Sequence, residues 1–344
     1  MNTGAELLFL KPVLKERIWG GSRLRTEWGY ESARESGLGE CWAVSCNEQA
    51  DSVVAEGRYQ GMTLSQLWAE APELFGAHAG ERFPLLVKII DAKEDLSIQV
   101  HPDDAYAKAH GLGMGKRECW YILDCPQDAE LIVGSRAESR EEFERLVRAQ
   151  KWDALLNRVP VRKGDFIQIE PGTLHAITAG VELLEVQQNS DITYRMYDYV
   201  RPRQLHLTEG LEVARAPYRI KAEDVVHTDG RVNTPQLLVT TADYQVWTVC
   251  VSGALAPDMA CESFLIGSVI EGSGRIDGRP VEKGMHFIVP NRYAVRRLEG
   301  EMRINLAAPM PRRKVAGGMR PAPIIYYFQD KVRVSFEIPQ SSAG

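Results

Sequence analysis

The chain has 344 residues, 44% hydrophobic and 26% charged, with a formal charge of −6. This length accommodates about two domains, and the composition excludes a predominantly disordered chain. A near-balanced charge without a long basic run argues against wholesale nucleic-acid binding.

Apolar stretches such as Pro84–Val87 and Phe264–Ile270 fall far short of the ~20 residues that span a bilayer. The run from Glu6 to Lys11 is too short for a secretory signal. A cytoplasmic protein without a membrane partner is therefore expected. Cysteines 41, 46, 119, 125, 250 and 261 contain no Cys-x-x-Cys pair and read as reduced packing residues.

Along the chain, Thr63 followed by Gln66 predicts a capped helix carrying Leu64, Leu67, Trp68 and Leu74, with Gly76 as its stop. Strands are expected at Leu85–Asp91, Leu96–His101, Cys119–Leu123, Leu131–Val133, Phe166–Ile169 and Val181–Val186. Ser139 with Glu142 opens a further helical stretch, carrying Phe143, Leu146 and Val147 and then Trp152, Leu155 and Leu156. Short, closely spaced strands favour a β-sandwich or barrel over alternating β/α units.

Pro160-Val-Arg-Lys163-Gly164 is echoed by Pro280-Val-Glu-Lys283-Gly284, each leading through an apolar run to a proline, Pro171 or Pro290. The echo implies two related β-domains, with a boundary in the polar stretch Glu223–Asn233. The expected division is 1–230, 231–312, and a C-terminal extension 313–344 with strand-like runs at Ile324–Phe328 and Val332–Ile338.

The most informative segment is Leu96-Ser-Ile-Gln-Val-His-Pro102. On a strand, Ser97, Gln99 and His101 share one face, while Ile98 and Val100 enter apolar packing on the other. Pro102 ends the strand and opens a short helix over Asp103–His110. After the glycine-rich Gly111–Gly115, Lys116 and Glu118 enter the next strand on a shared face, and Pro171-Gly-Thr-Leu-His175 delivers a second histidine. Two histidines, a carboxylate and an amide oxygen form a nitrogen/oxygen donor set for a divalent metal. The second copy carries Ala294 where the first has His175, so the second domain is expected to be metal-free. His78, His110, His206, His227 and His286 read as structural or surface residues.

In this order the motifs resemble the type I mannose-6-phosphate isomerases in their shorter bacterial form, within the cupin superfamily. Lys11-Pro-Val, Ile18-Trp-Gly-Gly21, Gly39-Glu-Cys-Trp42 through Ser45, and Ser97 through Pro102 carry the resemblance. Lys116-Arg-Glu118, Pro171 through His175, and Glu185 through Asn189-Ser-Asp191 to Arg195 complete it. The resemblance implies a mainly β fold of two cupin-type β-sandwich or jelly-roll domains, with a few helices inserted in the N-terminal half. It implies one Zn2+ held by Gln99, His101, Glu118 and His175. It also implies a catalytic group of Lys116, Arg195, Asp191 and Glu185, with Ser97 at the substrate phosphate. The implied reaction interconverts mannose 6-phosphate and fructose 6-phosphate through an enediol(ate).

The chain departs from the family's His-Lys-Pro-Glu motif by placing Gly115 and Arg117 beside Lys116 and Glu118. A proton shuttle through that histidine cannot operate here. Lys116, Glu185, Asp191 and a metal-bound water all remain as proton carriers. Two other readings stay open: a non-catalytic sugar-phosphate-binding cupin and an iron-dependent cupin dioxygenase. The expected partner is a small sugar phosphate, and the chain is expected to be a monomer or weak homo-oligomer.

Overall fold

The computed structural model describes residues 6–76, 82–257 and 263–310, with backbone strands at Arg312–Val315 and Gly318–Pro321. The expected strands at Ile324–Phe328 and Val332–Ile338 lie outside the described residues, as do His78 and Cys261. The fold is mainly β, of the cupin type expected. The chain divides into two compact units. One comprises Lys11–Ser52 with Pro84–Asp229; the other draws on Met1–Leu10, Val53–Phe83 and Gly230–Gly344. No described helix is long and apolar enough to cross a membrane.

The unit containing Lys11–Ser52 and Pro84–Asp229 holds a sandwich of two antiparallel sheets. The larger has seven strands in the order Val226–His227, Asp165–Ile169, Glu118–Asp124, Glu182–Gln188, Leu85–Asp91, Leu38–Val44 and Val13–Gly21. The smaller orders Leu156–Pro160, Glu130–Ser135, His175–Ala176, Ile98–Val100 and Tyr194–Tyr197. Between them lies an apolar core of Ile90, Trp120, Ile122, Leu131, Val133, Val159, Ile167 and Leu183. Alternate residues share a face. Glu118 therefore sits with Trp120 and Ile122, Lys88 with Ile90, and Glu185 with Leu183, all facing the smaller sheet.

The outer face of the smaller sheet carries Ile98, Val100, Ile132 and Met196. Phe143, Leu146 and Val147 of helix Arg140–Arg148 cover it, with Trp152, Leu155 and Leu211. Ser139 caps that helix by accepting the Glu142 N–H at 3.1 Å. Gln150, at φ 54°, separates it from Trp152–Leu155, so the expected single stripe spans two short helices. The strand pattern at 97–101 thus resolves as expected, with its apolar residues outward under helices and its polar residues inward.

The other unit is built on an eight-stranded antiparallel sheet with three twelve-residue strands, Tyr244–Leu255, Leu265–Ile276 and Leu298–Pro309. Alternating Trp247, Val249 and Val251 contribute one face of its core. The capping box at Thr63 and Gln66 forms as expected, but the helix ends at Glu70 rather than Gly76. Pro72 disfavours helical backbone at the preceding Ala71, and a 3₁₀ turn over Pro72–Leu74 follows. The repeated Lys-Gly pairs share a backbone requirement, with Gly164 at φ 87° and Gly284 at φ 94°.

Candidate active site

Cross-strand register assembles the site. In the smaller sheet Gln99 pairs directly with His175 on one side and Arg195 on the other. In the larger sheet Lys88 pairs with Glu185 and Trp42, and Glu118 with Gln187. Side chains at paired positions lie ~5 Å apart, so each row is one continuous surface.

His101, Glu118 and His175 converge at the buried end. Their donor atoms lie within 4.8 Å of one another. Glu118 Oε2 is 3.4 Å from His101 Nε2, and Glu118 Oε1 is 3.3 Å from His175 Nε2. His101 Nδ1 donates to the Ile192 carbonyl at 2.8 Å, and His175 Nδ1 to the Thr173 carbonyl at 2.8 Å. A carbonyl can only accept, so each imidazole carries its proton on Nδ1 and turns the Nε2 lone pair toward Glu118. Burial, followed for His101 by the Lys116 ammonium, holds both rings below the usual histidine range, that is, neutral.

Glu118 is fully buried, and among the described residues its Oε1 and His175 Nε2 have no hydrogen-bond partner. Unsatisfied buried acceptors are costly unless a cation meets them. Together with His101 they turn lone pairs toward one point, a donor set that fits a divalent metal. Lys116 Nζ is the cation already beside them, 3.0 Å from Glu118 Oε2 and 3.1 Å from His101 Nε2.

Above this group opens a cavity of about 420 Å³. Of the residues singled out from sequence, Ser97, Gln99, Lys116, Glu185, Asp191 and Arg195 all line it. Ser97 and Glu185 are buried, whereas Asp191 is exposed.

Among the described residues no carboxylate lies within ion-pair distance of the cavity-lining Arg195, although Asp198 acts on it from farther away. Its Nη1 donates to the Gln204 carbonyl at 2.9 Å, and its buried Nε has no partner. The other cations are paired. Arg17 meets Glu40 at 2.7 Å, Arg203 makes two 2.6 Å bonds to Asp198, and Lys88 meets Glu185 at 3.0 Å.

Sequence reasoning missed Lys88, Glu40 and His206. Lys88 is buried, donates to Gln187 Oε1 at 2.8 Å and sits 5.4 Å from the Trp42 ring centre. Burial alone would lower its pKa, but Glu185 and Glu40 outweigh that and raise it. Burial would raise Glu40; Lys88, Arg17 and the Trp42 N–H overcome this and hold it at about 2. Glu185 is likewise held low against its burial, by Lys88 and then Lys116, and accepts from Trp120 Nε1 at 3.2 Å. A lysine inside the otherwise apolar run Leu85–Ile90 was the available signal. His206, read from sequence as structural or surface, lines the cavity, and its Nδ1 accepts the Arg195 N–H at 3.2 Å.

The departure at Gly115 has a steric basis. A Cβ there would lie 2.4 Å from the Asp103 carbonyl carbon and 2.5 Å from the Asp104 nitrogen. No histidine fits at this position without moving backbone.

Residues 7–125 match the family described as phosphomannose isomerase type I, catalytic domain. A mannose-6-phosphate isomerase of Bacillus subtilis is 45% identical over 308 residues, covering 86% of this chain and 96% of that one. The corresponding enzyme of Streptococcus mutans is 40% identical over 311 residues, covering 87% and 97%. The crystal structure of a mannose 6-phosphate isomerase from Bacillus subtilis superposes with a TM-score of 0.77 at 40% identity, covering 88% of this chain and 100% of that one. With relatives this similar aligned over nearly their whole length, the chain belongs to the type I phosphomannose isomerase family.

Proposed function

We propose that the chain interconverts mannose 6-phosphate and fructose 6-phosphate, with Zn2+ held by Gln99, His101, Glu118 and His175. One observation carries this reading: the buried nitrogen and oxygen donors of His101, Glu118 and His175 converge beneath a polar cavity, with a lysine ammonium in contact with two of them. Gln99 is the neighbour of His175 in register and lines the cavity, which suits it as the fourth donor. A divalent ion there supplies Lewis acidity for the negative charge that develops on a sugar oxygen.

The chain's own residues do the rest. The reaction takes a proton from C2 of the aldose, returns one to C1, and shifts a hydroxyl proton between O1 and O2. Lys116 is the proposed carrier, because its Nζ lies at the junction of the donor group and the cavity; it acts after giving its resting proton to solvent, taking the C2 proton as the neutral amine and returning it to C1 as the ammonium. Glu185 is the weaker candidate: Lys88 sits 3.0 Å away and holds its pKa low, which makes the carboxylate a weak base. Asp191, exposed on the cavity wall, is suited to moving the hydroxyl proton. Arg195, without a carboxylate partner, is available for substrate oxyanions. Ser97 offers a hydroxyl donor to the phosphate.

The test is turnover of mannose 6-phosphate before chelation, after chelation, and after zinc is restored. Activity should vanish and return. A folded, zinc-loaded protein that fails to turn the substrate over refutes the assignment.

A further inference from the structure

The segment leading to Lys116 is intrinsically loose. Gly111, at φ 67°, and Gly113, at φ 87°, precede Gly115, and glycine loses more backbone freedom on ordering than any other residue. Yet three consecutive amides are each tied. Gly115 N donates to Asp104 Oδ1 at 2.8 Å, Lys116 N to the Pro102 carbonyl at 2.9 Å, and Arg117 N to Gln188 Oε1 at 2.8 Å. The two side chains are themselves joined, Gln188 Nε2 donating to Asp104 Oδ1 at 3.1 Å. Gln188 N also donates to the Arg117 carbonyl at 2.9 Å.

We propose that Asp104 and Gln188 are positioning residues, a joined pair that fixes the backbone on either side of Lys116 and so sets where its ammonium can reach. This rests on the reading of Lys116 as proton carrier. Gly115 belongs to the same device: its missing side chain lets the segment before the strand lie against Asp103 and Asp104 closely enough for the first bond to form.

Asp104 also opens the helix Asp104–Ala109, where a carboxylate favours the helix dipole. The test separates that role from bracing. In Asp104→Ala, kcat should fall about 10- to 100-fold, the scale of a misplaced catalytic group, with KM and metal content unchanged. Hydrogen exchange at the amides of Gly115–Arg117 should accelerate. Asp104→Asn removes the charge but keeps an oxygen acceptor, and should recover most of the rate. In a Lys116→Met background, Asp104→Ala should change the residual rate by less than about threefold, because the brace then has nothing to position.

Unchanged kcat in Asp104→Ala, equal losses in the Ala and Asn variants, or a full loss persisting in the Lys116→Met background would each overturn the proposal. If Lys116→Met itself keeps wild-type kcat, the catalytic reading fails instead. The brace is then judged on amide exchange alone, and wild-type protection in Asp104→Ala refutes it.

Discussion

Replacing Lys88 with methionine tests the charge balance under the cavity. The substitution preserves an unbranched apolar stem and removes one ammonium. Glu40 keeps Arg17 at 2.7 Å, but Glu185 is left with the Trp120 N–H at 3.2 Å as its remaining hydrogen bond. Breaking one side of a buried pair costs about 3–5 kcal/mol, because the remaining charge stays desolvated. At about 2–4 °C per kcal/mol for a unit of this size, the melting temperature at pH 8 should drop by roughly 6–20 °C.

The pH dependence has a definite sign. In the wild type, Lys88 holds the Glu185 pKa below its unfolded value, so this stability is present at neutral pH and lost only on acidification below the usual carboxylate range. In Lys88→Met, Lys116 remains to oppose burial but is the smaller influence of the two, and the Glu185 pKa should rise above the unfolded value. The native state then binds the extra proton, and the deficit should shrink as pH falls from 8 toward 5.5. The double variant Lys88→Met/Glu185→Gln should recover much of the loss at pH 8. Thermal unfolding monitored by circular dichroism at both pH values measures all three effects. A drop below ~1 kcal/mol at pH 8, or a deficit that does not change with pH, refutes the reasoning.

Two further predictions follow from the same geometry. His101→Ala or His175→Ala should lower bound metal in elemental analysis of the folded protein; unchanged metal content would remove that residue from the ligand set. Gly115→Ala places a methyl 2.4 Å from backbone and should cost about 1–3 kcal/mol through overpacking, read as a lowered melting temperature. Wild-type stability there would show that the Asp103–Asp104 backbone yields easily.

Local pattern made part of this site legible before any coordinates. The two-residue period at 97–101 sent Ile98 and Val100 under the helices and Ser97 and Gln99 into the cavity. Ser139 and Thr63 announced their helices because capping is a contact between near neighbours in sequence. What stayed hidden depends on distant pairing. Lys88 looks out of place in an apolar strand until Glu185, Glu40 and Trp42 arrive from neighbouring strands. His206 carries no local motif, and its role beside Arg195 arises from a reciprocal backbone contact across a loop. The pairing of Leu8 with Ile288, which brings the first described strand to residues near 290, leaves no trace in either segment alone.

The donors of the metal group come from opposite layers of the sandwich. Glu118 belongs to the seven-stranded sheet, while His175 sits on a two-residue strand of the five-stranded one and His101 lies just beyond Ile98–Val100. An ion gripped by all three would act as a rivet through the sandwich. Binding that favours only the folded chain adds about 4 kcal/mol when free ion exceeds its dissociation constant a thousandfold. Metal supply and heat tolerance would thereby be tied together in this unit: loss of the ion would cost the scaffold resilience as well as the proposed chemistry.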